Sequence, residues 1–298
     1  MLPVGNRSGI PCGWFYDWPA YYSQWVTEYA NWSGGTIIAP PTIARLDDCR
    51  SNSLSVFQNI AGYSGSFKTG GFFDFDKWKA NVDAAYALGL ESYIEDGTIF
   101  AHYVIDEPKA SGSWGGVCIP NDTLDAMCAY SKAYWPSLPC IIRMEPDDLV
   151  TKATSSCGPW PGGDYSWQYL DGCWLQYTAW KGTIANYRST LYTSAASQGL
   201  SIVPGVNWRD GGNGDSGISP SQNPSRYVVT PAELTAYSQG LMSNEIWDPS
   251  AYMMWRFQMV GPDDTAVLDY MNSAPMQAAF DTLRAFCATK QRRSLLRR

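Results

Sequence analysis

Histidine is the scarcest residue of the sequence, since His102 is the only one among 298 residues. The eight cysteines include no Cys-x-x-Cys pair. Zinc sites need several Cys or His ligands at short spacings, so we expect no metal site. A lone histidine inside an apolar segment also excludes the Ser-His and Cys-His pairs of nucleophilic hydrolases. No cofactor is predicted either, because no phosphate-binding glycine loop follows an early strand of the chain.

Charged residues are also few, at 16% of the chain, and acidic residues outnumber basic ones by 28 to 21. Five of the basic residues lie in the last nine positions, "KQRRSLLRR", so residues 1–289 hold 16 basic against 28 acidic residues. A body with that charge repels nucleic acid and anionic membranes. No segment approaches 18 consecutive apolar residues, so no membrane span is expected. We therefore predict neither nucleic acid nor a membrane as a partner.

The first residues, "MLPVGNRSGIPCGW", lack the basic start and the long apolar run of a secretory signal. An even number of cysteines in a chain with few charges is nevertheless typical of exported proteins with disulfides. Three Asn-x-Ser/Thr sequons, at Asn6, Asn31 and Asn121, are compatible with export. On this basis we expect an extracellular or otherwise exported, disulfide-bonded monomer.

Short apolar segments alternate with helical patterns along the chain. We predict strands near 12–16, 36–39, 54–60, 100–106, 139–144, 172–177, 200–206 and 251–257. Helices are expected at 19–32, 41–50, 76–95, 121–135, 181–198, 231–243 and 274–289, with Asp76 as the N-cap of the third. Such alternation indicates an α/β fold with a parallel sheet, and eight units favour a single closed (β/α)8 TIM barrel. No Gly-x-Gly-x-x-Gly loop follows an early strand, as it does in open nucleotide-binding sheets; the glycine-rich stretch at 211–217 comes after the seventh predicted strand and precedes no helical pattern.

The domain prediction is one barrel at 1–289, followed by a basic flexible tail at 290–298. No internal repeat and no Pro/Ser-rich linker divides the chain. Two long connections, 61–75 and 145–171, follow predicted strands. They therefore belong on the carboxyl-terminal face of the barrel, where loops carry function.

Functional side chains of a TIM barrel lie where its strands end. The predicted strand ends are rich in carboxylates, amides, guanidinium groups and indoles. With 14 Trp and 19 Tyr, the chain has more aromatic surface than one core can bury. Some of these rings should therefore line a groove and stack on flat ligands such as sugars. The candidate substrate-binding residues are Asp17, Trp18, Asn59, Arg143, Gln176, Tyr177, Asn207, Trp208, Trp255 and Arg256.

The segment "FAHYVIDEPK", residues 100–109, is an apolar strand that ends in Asp106 and Glu107 before a proline. Glycoside hydrolysis needs one carboxylic acid to protonate the leaving oxygen and a second group to assist at the anomeric carbon. A Glu among aromatic residues and beside another acid can have a raised pKa and stay protonated near neutrality. Asp106 and Glu107 are therefore the leading catalytic candidates.

The motif "YVIDEP" at the fourth strand resembles the Asn-Glu-Pro or Asp-Glu-Pro strand end of the (β/α)8-barrel glycoside hydrolases. The segment "MMWRF" of the eighth strand is similar to the position from which that clan offers a Trp to a sugar subsite. The resemblance implies a TIM-barrel glycosidase that cleaves an oligo- or polysaccharide. It also implies that Glu107 is the general acid/base, Asp106 its neighbouring positioner and Trp255 a subsite residue.

The seventh strand departs from that clan, because "IVPGVNWRDG" has Asn207 where the clan has its nucleophilic Glu. Glu145 or Asp17 could instead act as base in an inverting enzyme, with carboxylates about 6.5–9.5 Å apart. Alternatively, Asp106-Glu107 is similar to the acidic pair of hydrolases that use the substrate's own acetamido group, which would imply N-acetylhexosamines. A third possibility is a carbohydrate-binding barrel without catalysis.

Overall fold

The computed structural model describes residues 9–16, 32–150, 165–221, 223–243, 249–255 and 265–290. One eight-stranded parallel sheet organises the molecule. Its strands are β1 (Cys12–Tyr16), β2 (Gly34–Ile37), β3 (Ser55–Gln58), β4 (Ile99–Tyr103), β5 (Cys140–Arg143), β6 (Gly172–Tyr177), β7 (Ser201–Val206) and β8 (Tyr252–Met254). The spatial order is β8, β1, β2, β3, β4, β5, β6, β7, with all pairs parallel. All eight predicted strands are confirmed.

The sheet curls into a nearly closed barrel, with β7 and β8 meeting at the seam. The backbone N–H of Ser250 donates to the Ile202 carbonyl at 3.0 Å, and that of Trp255 donates to the Val206 carbonyl at 3.1 Å. These bonds lie at opposite ends of the seam and join the two edge strands. The architecture is therefore the predicted single (β/α)8 TIM barrel.

Helices follow the strands and cover the barrel from outside. They are α1 (Ile43–Ser51), α2 (Phe75–Tyr86), α3 (Glu91–Glu95), α4 (Asn121–Tyr134), α5 (Pro146–Val150), α6 (Ile184–Ser197), α7 (Pro231–Met242), α8 (Thr265–Met271) and α9 (Ala274–Ala288). Residues 19–31 of the predicted helix at 19–32 lie outside the described residues, as does the basic tail apart from Lys290. Within the described ranges, no helix is both long and apolar enough to cross a membrane.

The predicted helix at 76–95 is divided in two. Its N-cap is Asp74, whose Oδ1 accepts a hydrogen bond from the Lys77 backbone N–H at 3.1 Å, so the prediction of Asp76 is wrong. The first part ends at Tyr86, and Gly89 then adopts a φ of +70°. Such a conformation breaks a right-handed helix and suits glycine.

The barrel interior is filled by large apolar side chains: Phe15, Phe57, Tyr103, Ile141, Trp174, Val203 and Met253. Trp174 stacks on Phe15 with ring centres 5.1 Å apart and donates its Nε1–H to the Met253 carbonyl at 2.9 Å. The interior is thus a packed core rather than a channel. A ligand therefore has room only beyond the ends of the strands.

Six of the eight cysteines are buried free thiols: Cys12, Cys49, Cys128, Cys140, Cys173 and Cys287. The prediction of disulfides is wrong for these six. Burial raises the pKa of Cys49 to about 12 and also raises the pKa of Cys173. Buried, protonated thiols of this kind serve as small apolar residues of the core.

His102 of β4 faces the helices rather than the carboxyl-terminal end of the barrel. It is fully buried, with Nδ1 2.7 Å from Ser131 Oγ and its ring stacked on Trp78. Among the described residues, no group of three or more His, Cys, Asp or Glu side chains is arranged to hold a metal ion.

Candidate active site

The acidic pair lies just beyond β4, at the carboxyl-terminal end of the barrel. Glu107 has a φ of +43°, a left-handed conformation that Glu rarely adopts. Its carbonyl oxygen accepts hydrogen bonds from the Ala110 backbone N–H at 3.0 Å and from Trp114 Nε1 at 2.9 Å. The chain therefore turns sharply at Glu107 instead of continuing as a strand.

Arg143, the last residue of β5, contacts both acids. Its Nη2 lies 2.9 Å from Glu107 Oε1, and its Nη1 lies 3.4 Å from Asp106 Oδ1. The guanidinium carbon is 4.1 Å from the ring centre of Trp255 and 5.3 Å from that of Trp174. Because aromatic faces attract cations, the two indoles help to hold the guanidinium beside the carboxylates.

Asp106 is held from a second side by Tyr103. The phenol donates to Asp106 Oδ1 at 2.6 Å. Burial and the neighbouring Asp106 raise the pKa of Tyr103 well above its usual value, so the phenol remains a donor. With Tyr103 and Arg143 on the same oxygen, Asp106 is fixed in orientation.

Glu145, two residues after β5, is a third carboxylate at this end of the barrel. Lys181 donates its Nζ–H groups to Glu145 Oε1 at 2.5 Å and to the Gln176 carbonyl at 2.7 Å. Burial lowers the pKa of Lys181, although the charge of Glu145 opposes that effect. The Glu145 side chain remains 54% exposed, so a ligand can reach it.

A cavity of about 240 Å³ brings these groups together. Its lining residues are Glu107, Lys109, Ala110, Arg143, Met144, Glu145 and Asp148. The pKa of Glu107 is raised, first by burial and then by the charges of Asp106 and Glu145, while Arg143 and Lys181 oppose the rise. This is the direction that a proton-donating carboxylic acid requires.

Lys109 and Asp148 complete the cavity and were not among the predicted site residues. Burial lowers the pKa of Lys109 to about 8 and raises the pKa of Asp148 to about 6. The sequence feature that could have indicated Asp148 is the segment "EPDD". Asp148 lies three residues after Glu145, so the first turn of α5 brings the two acids to the same side. The adjacent acids Asp147 and Asp148 also predict a helix start, and α5 does form there.

Gln176, Asn207 and Trp255 lie at the ends of β6, β7 and β8, within one residue of the last strand residue and at the same end of the barrel. The Gln176 side chain is almost fully buried, and within the described ranges its Nε2 has no hydrogen-bond partner. Asn207 Oδ1 accepts from the Asp210 backbone N–H at 3.4 Å. The half-buried Trp255 stacks on Phe15 with ring centres 4.5 Å apart. Three further candidates lie outside the described residues: Asp17, Trp18 and Arg256.

Three predicted substrate-binding residues instead make structural contacts. Asn59 is buried and its Oδ1 accepts from the Gly62 backbone N–H at 2.9 Å. The Tyr177 hydroxyl donates to the Gly182 carbonyl at 2.7 Å, and Trp208 is fully buried. None of the three lines the cavity, and substrate binding by them stays a prediction.

Neither a protein-family model nor a curated protein sequence matches this chain. Solved structures do. The exo-β-1,4-mannosidase Op5Man5 from Opitutaceae bacterium strain TAV5 gives a TM-score of 0.60 at 10% identity, covering 97% of this chain and 62% of the mannosidase. A GH2 β-galacturonidase from Eisenbergiella tayi, bound to galacturonate, gives 0.57 at 10% identity over 94% of this chain. The chain spans 51% of that galacturonidase.

A third structure is of more similar length. A psychrophilic glycoside hydrolase family 10 endo-β-1,4-xylanase gives a TM-score of 0.52 at 10% identity, covering 86% of this chain and 90% of the xylanase. The shared feature is the barrel. All three similar proteins are glycoside hydrolases, and at such low identity their likeness establishes the fold alone.

Proposed function

We propose that this protein is a glycoside hydrolase in which Glu107 is the general acid. The observation that carries the proposal is the cavity at the mouth of the barrel, where Glu107, Arg143 and Glu145 meet. Glu107 has a raised pKa and a side chain that is 45% exposed, so it can be protonated and can reach a leaving-group oxygen. The glycosidase neighbours support this choice among the many functions that barrels perform.

The remaining charged groups have distinct roles in this proposal. Glu145 is the second carboxylate, because it lines the same cavity and is exposed. Asp106 positions the site through Arg143 and does not act on the substrate directly. The acetamido-assisted alternative would need Asp106 to face the sugar, whereas its Oδ1 is already engaged by Tyr103 and Arg143.

The proposed substrate is an oligo- or polysaccharide, bound in the cavity beyond β4 and β5 and extending over Trp255 beyond β8. Trp255 offers a partly exposed indole at this edge, and sugar rings pack well on such faces. Binding of sugar hydroxyls by Gln176 and Asn207 stays a prediction from the sequence, because both side chains are buried here. Export from the cell and a monomeric state, expected from the sequence, stay predictions.

The test compares the parent protein with Glu107→Gln on a panel of aryl glycosides and oligosaccharides. The panel includes mannosides, xylosides, glucuronides and galacturonides. We expect hydrolysis of at least one substrate and, on substrates whose leaving group needs a proton, a loss of about 100-fold or more in the variant, the usual contribution of general acid catalysis. Glu91→Gln is the matched control, because this exposed Glu lies in α3, before β4 begins and thus toward the opposite end of the barrel. Equal activity of the parent and Glu107→Gln would contradict the proposal.

A carbohydrate-binding barrel without catalysis is the second candidate. Two observations favour it: the ion pair between Glu107 and Arg143, which stabilises the charged form of the acid, and the amide of Asn207 at the end of β7. The same panel separates the two functions. A parent protein that hydrolyses nothing, yet binds a glycan on an array and loses binding in Arg143→Met, would establish the binding function.

A further inference from the structure

The backbone of Glu107 has a strained conformation that neither a Glu residue nor the following Pro108 favours. Its φ of +43° lies in the left-handed region, and Glu has no short polar side chain to favour it. Pro108 follows directly, and a residue before proline is biased toward extended conformations. Strained conformations of this kind persist only where the surrounding structure imposes them. Contacts from outside this segment must therefore hold Glu107 in place.

Trp114 supplies a side-chain contact to the backbone of the strained residue itself, beside the Ala110 N–H that donates to the same carbonyl within the turn. Its Nε1–H donates to the Glu107 carbonyl at 2.9 Å, seven residues along the chain. Trp114 closes the 3-10 helix Ser111–Trp114 and is 1% exposed. Because the N–H direction is fixed by the plane of the indole, the position of the ring determines where the Glu107 carbonyl can lie.

The ring of Trp114 is itself held by the connection that follows β3. Phe67 stacks on it at an interplanar angle of 13° with ring centres 6.2 Å apart, and Phe73 meets its edge at 6.0 Å. Lys68 Nζ lies 4.6 Å from the ring centre. These residues belong to the 3-10 helix Ser64–Phe67 and to the hairpin of Lys68–Thr69 with Phe72–Phe73. The long connections after β3 and β4 therefore pack together through one indole.

We propose that Trp114 is a positioning residue for Glu107. Its N–H and its aromatic surroundings fix the left-handed turn that directs the Glu107 carboxylate into the cavity. The inference rests on the proposed function, in which Glu107 donates the proton. It also gives a role to the connection after β3, which supplies none of the side chains that line the cavity.

Trp114→Phe tests the proposal, because Phe keeps an aromatic ring but cannot donate to the Glu107 carbonyl. We expect kcat to fall by about 10- to 100-fold, with KM changed less than about twofold, because misalignment of a catalytic group costs rate rather than binding. In the Glu107→Gln background, the same substitution should change the residual rate by less than about twofold, since residues acting as one unit are not additive.

Trp135→Phe is the control for the loss of a buried indole. Trp135 is buried at the C-cap of α4, toward the opposite end of the barrel, and within the described ranges its Nε1 has no hydrogen-bond partner. This variant should keep the parent's kcat. If Trp114→Phe does not fold, as judged by thermal unfolding, Phe73→Leu replaces it. That variant keeps the indole of Trp114 but loosens its contacts, so the same fall in kcat should appear at smaller size.

The outcomes separate this inference from the function beneath it. A folded Trp114→Phe variant with the parent's kcat would overturn the positioning role while leaving Glu107 as the acid. So would an equal loss of rate with and without the Glu107 carboxylate. If Glu107→Gln keeps full activity, the proposed function fails, and the positioning role fails with it.

Discussion

Arg143 and Glu107 form an ion pair of 2.9 Å at the mouth of the barrel, yet 45% of the Glu107 side chain is exposed. The guanidinium is also packed against the indole of Trp255 and is far less accessible than the acid. A firmly held cation therefore lies behind an acid that a ligand can reach. Burial, Asp106 and Glu145 raise the pKa of Glu107, whereas Arg143 lowers it. Removing any one of these charges should shift that pKa in a known direction.

Replacing Arg143 by Met should raise the pKa of Glu107, because the nearest positive charge is lost. A general acid is active when protonated, so the basic limb of the kcat/KM profile should move to higher pH. Arg143→Lys retains the charge and should move the limb less. Urea unfolding must accompany the assay, since removing one partner of a partly buried ion pair also lowers stability. A basic limb that stays in place, or moves to lower pH, would contradict this role of Arg143.

Glu145 and Lys181 should have opposite effects on the same limb. Glu145→Gln removes a negative charge that raises the pKa of Glu107, so the limb should move to lower pH. Lys181→Met removes a positive charge and should move it to higher pH. If Glu145 is the second catalytic carboxylate, kcat of Glu145→Gln should also fall about 100-fold or more at every pH. Shifts of the same sign in both variants would show that these charges do not act on Glu107.

Asp148 should make stability depend on pH in an unusual direction. Burial raises its pKa from 3.8 to about 6, so between these values the folded protein binds more protons than the unfolded chain. The contribution of Asp148 to the free energy of unfolding should therefore fall as pH rises from about 4 to about 6. Asp148→Asn cannot ionise and should be more stable than the parent at pH 7, by at most about 3 kcal/mol, and equal to it at pH 4. Urea unfolding at each pH measures this difference.

The control for that experiment is Asp76→Asn, since Asp76 pairs with Lys79 on the surface and is 89% exposed. Its stability relative to the parent should change little between pH 4 and pH 7. A parent whose stability rises steadily from pH 4 to pH 7, with no gain from Asp148→Asn, would show that Asp148 is solvated and ionised in the folded state.

The six buried thiols can be counted directly. In the denatured protein, without reductant, at least six thiols should react with a disulfide reagent such as DTNB. In the native protein these six should be unreactive, because reaction needs an accessible thiolate. A count below six in the denatured protein would mean that the cysteines pair as the sequence composition suggested.

The barrel was predictable because buried parallel strands are nearly continuous apolar runs. The start of β2 was missed by two residues, since Gly34 and Gly35 have no apolar side chain. A glycine is nevertheless required nearby, because a Cβ on Gly13 would lie 1.8 Å from the Gly34 carbonyl oxygen. Similarly, the break at Gly89 depends on one left-handed residue that a helical period does not reveal.

The candidate site was predictable only as far as the strand ends allowed. Asp106, Glu107, Arg143 and Glu145 lie at the ends of β4 and β5 or within four residues of them, so their gathering at one end of the barrel follows from the topology. Tyr177 and Trp208 also lie at strand ends, but adjacent residues of a strand face opposite sides of the sheet. The sequence does not reveal which of two neighbours faces the barrel axis. The contact of Trp114 with Glu107 depends on the path of a loop, which no periodic pattern encodes.

The role of Glu107 can be measured through the leaving group of the substrate. The leaving group of a dinitrophenyl glycoside is acidic enough to depart without a proton. The leaving groups of phenyl and alkyl glycosides need to be protonated. We predict that Glu107→Gln keeps a near-parent kcat/KM on the former and loses about 100-fold or more on the latter, the size of a general-acid contribution. Equal losses on both kinds of substrate, or no loss on either, would show that Glu107 is not the proton donor.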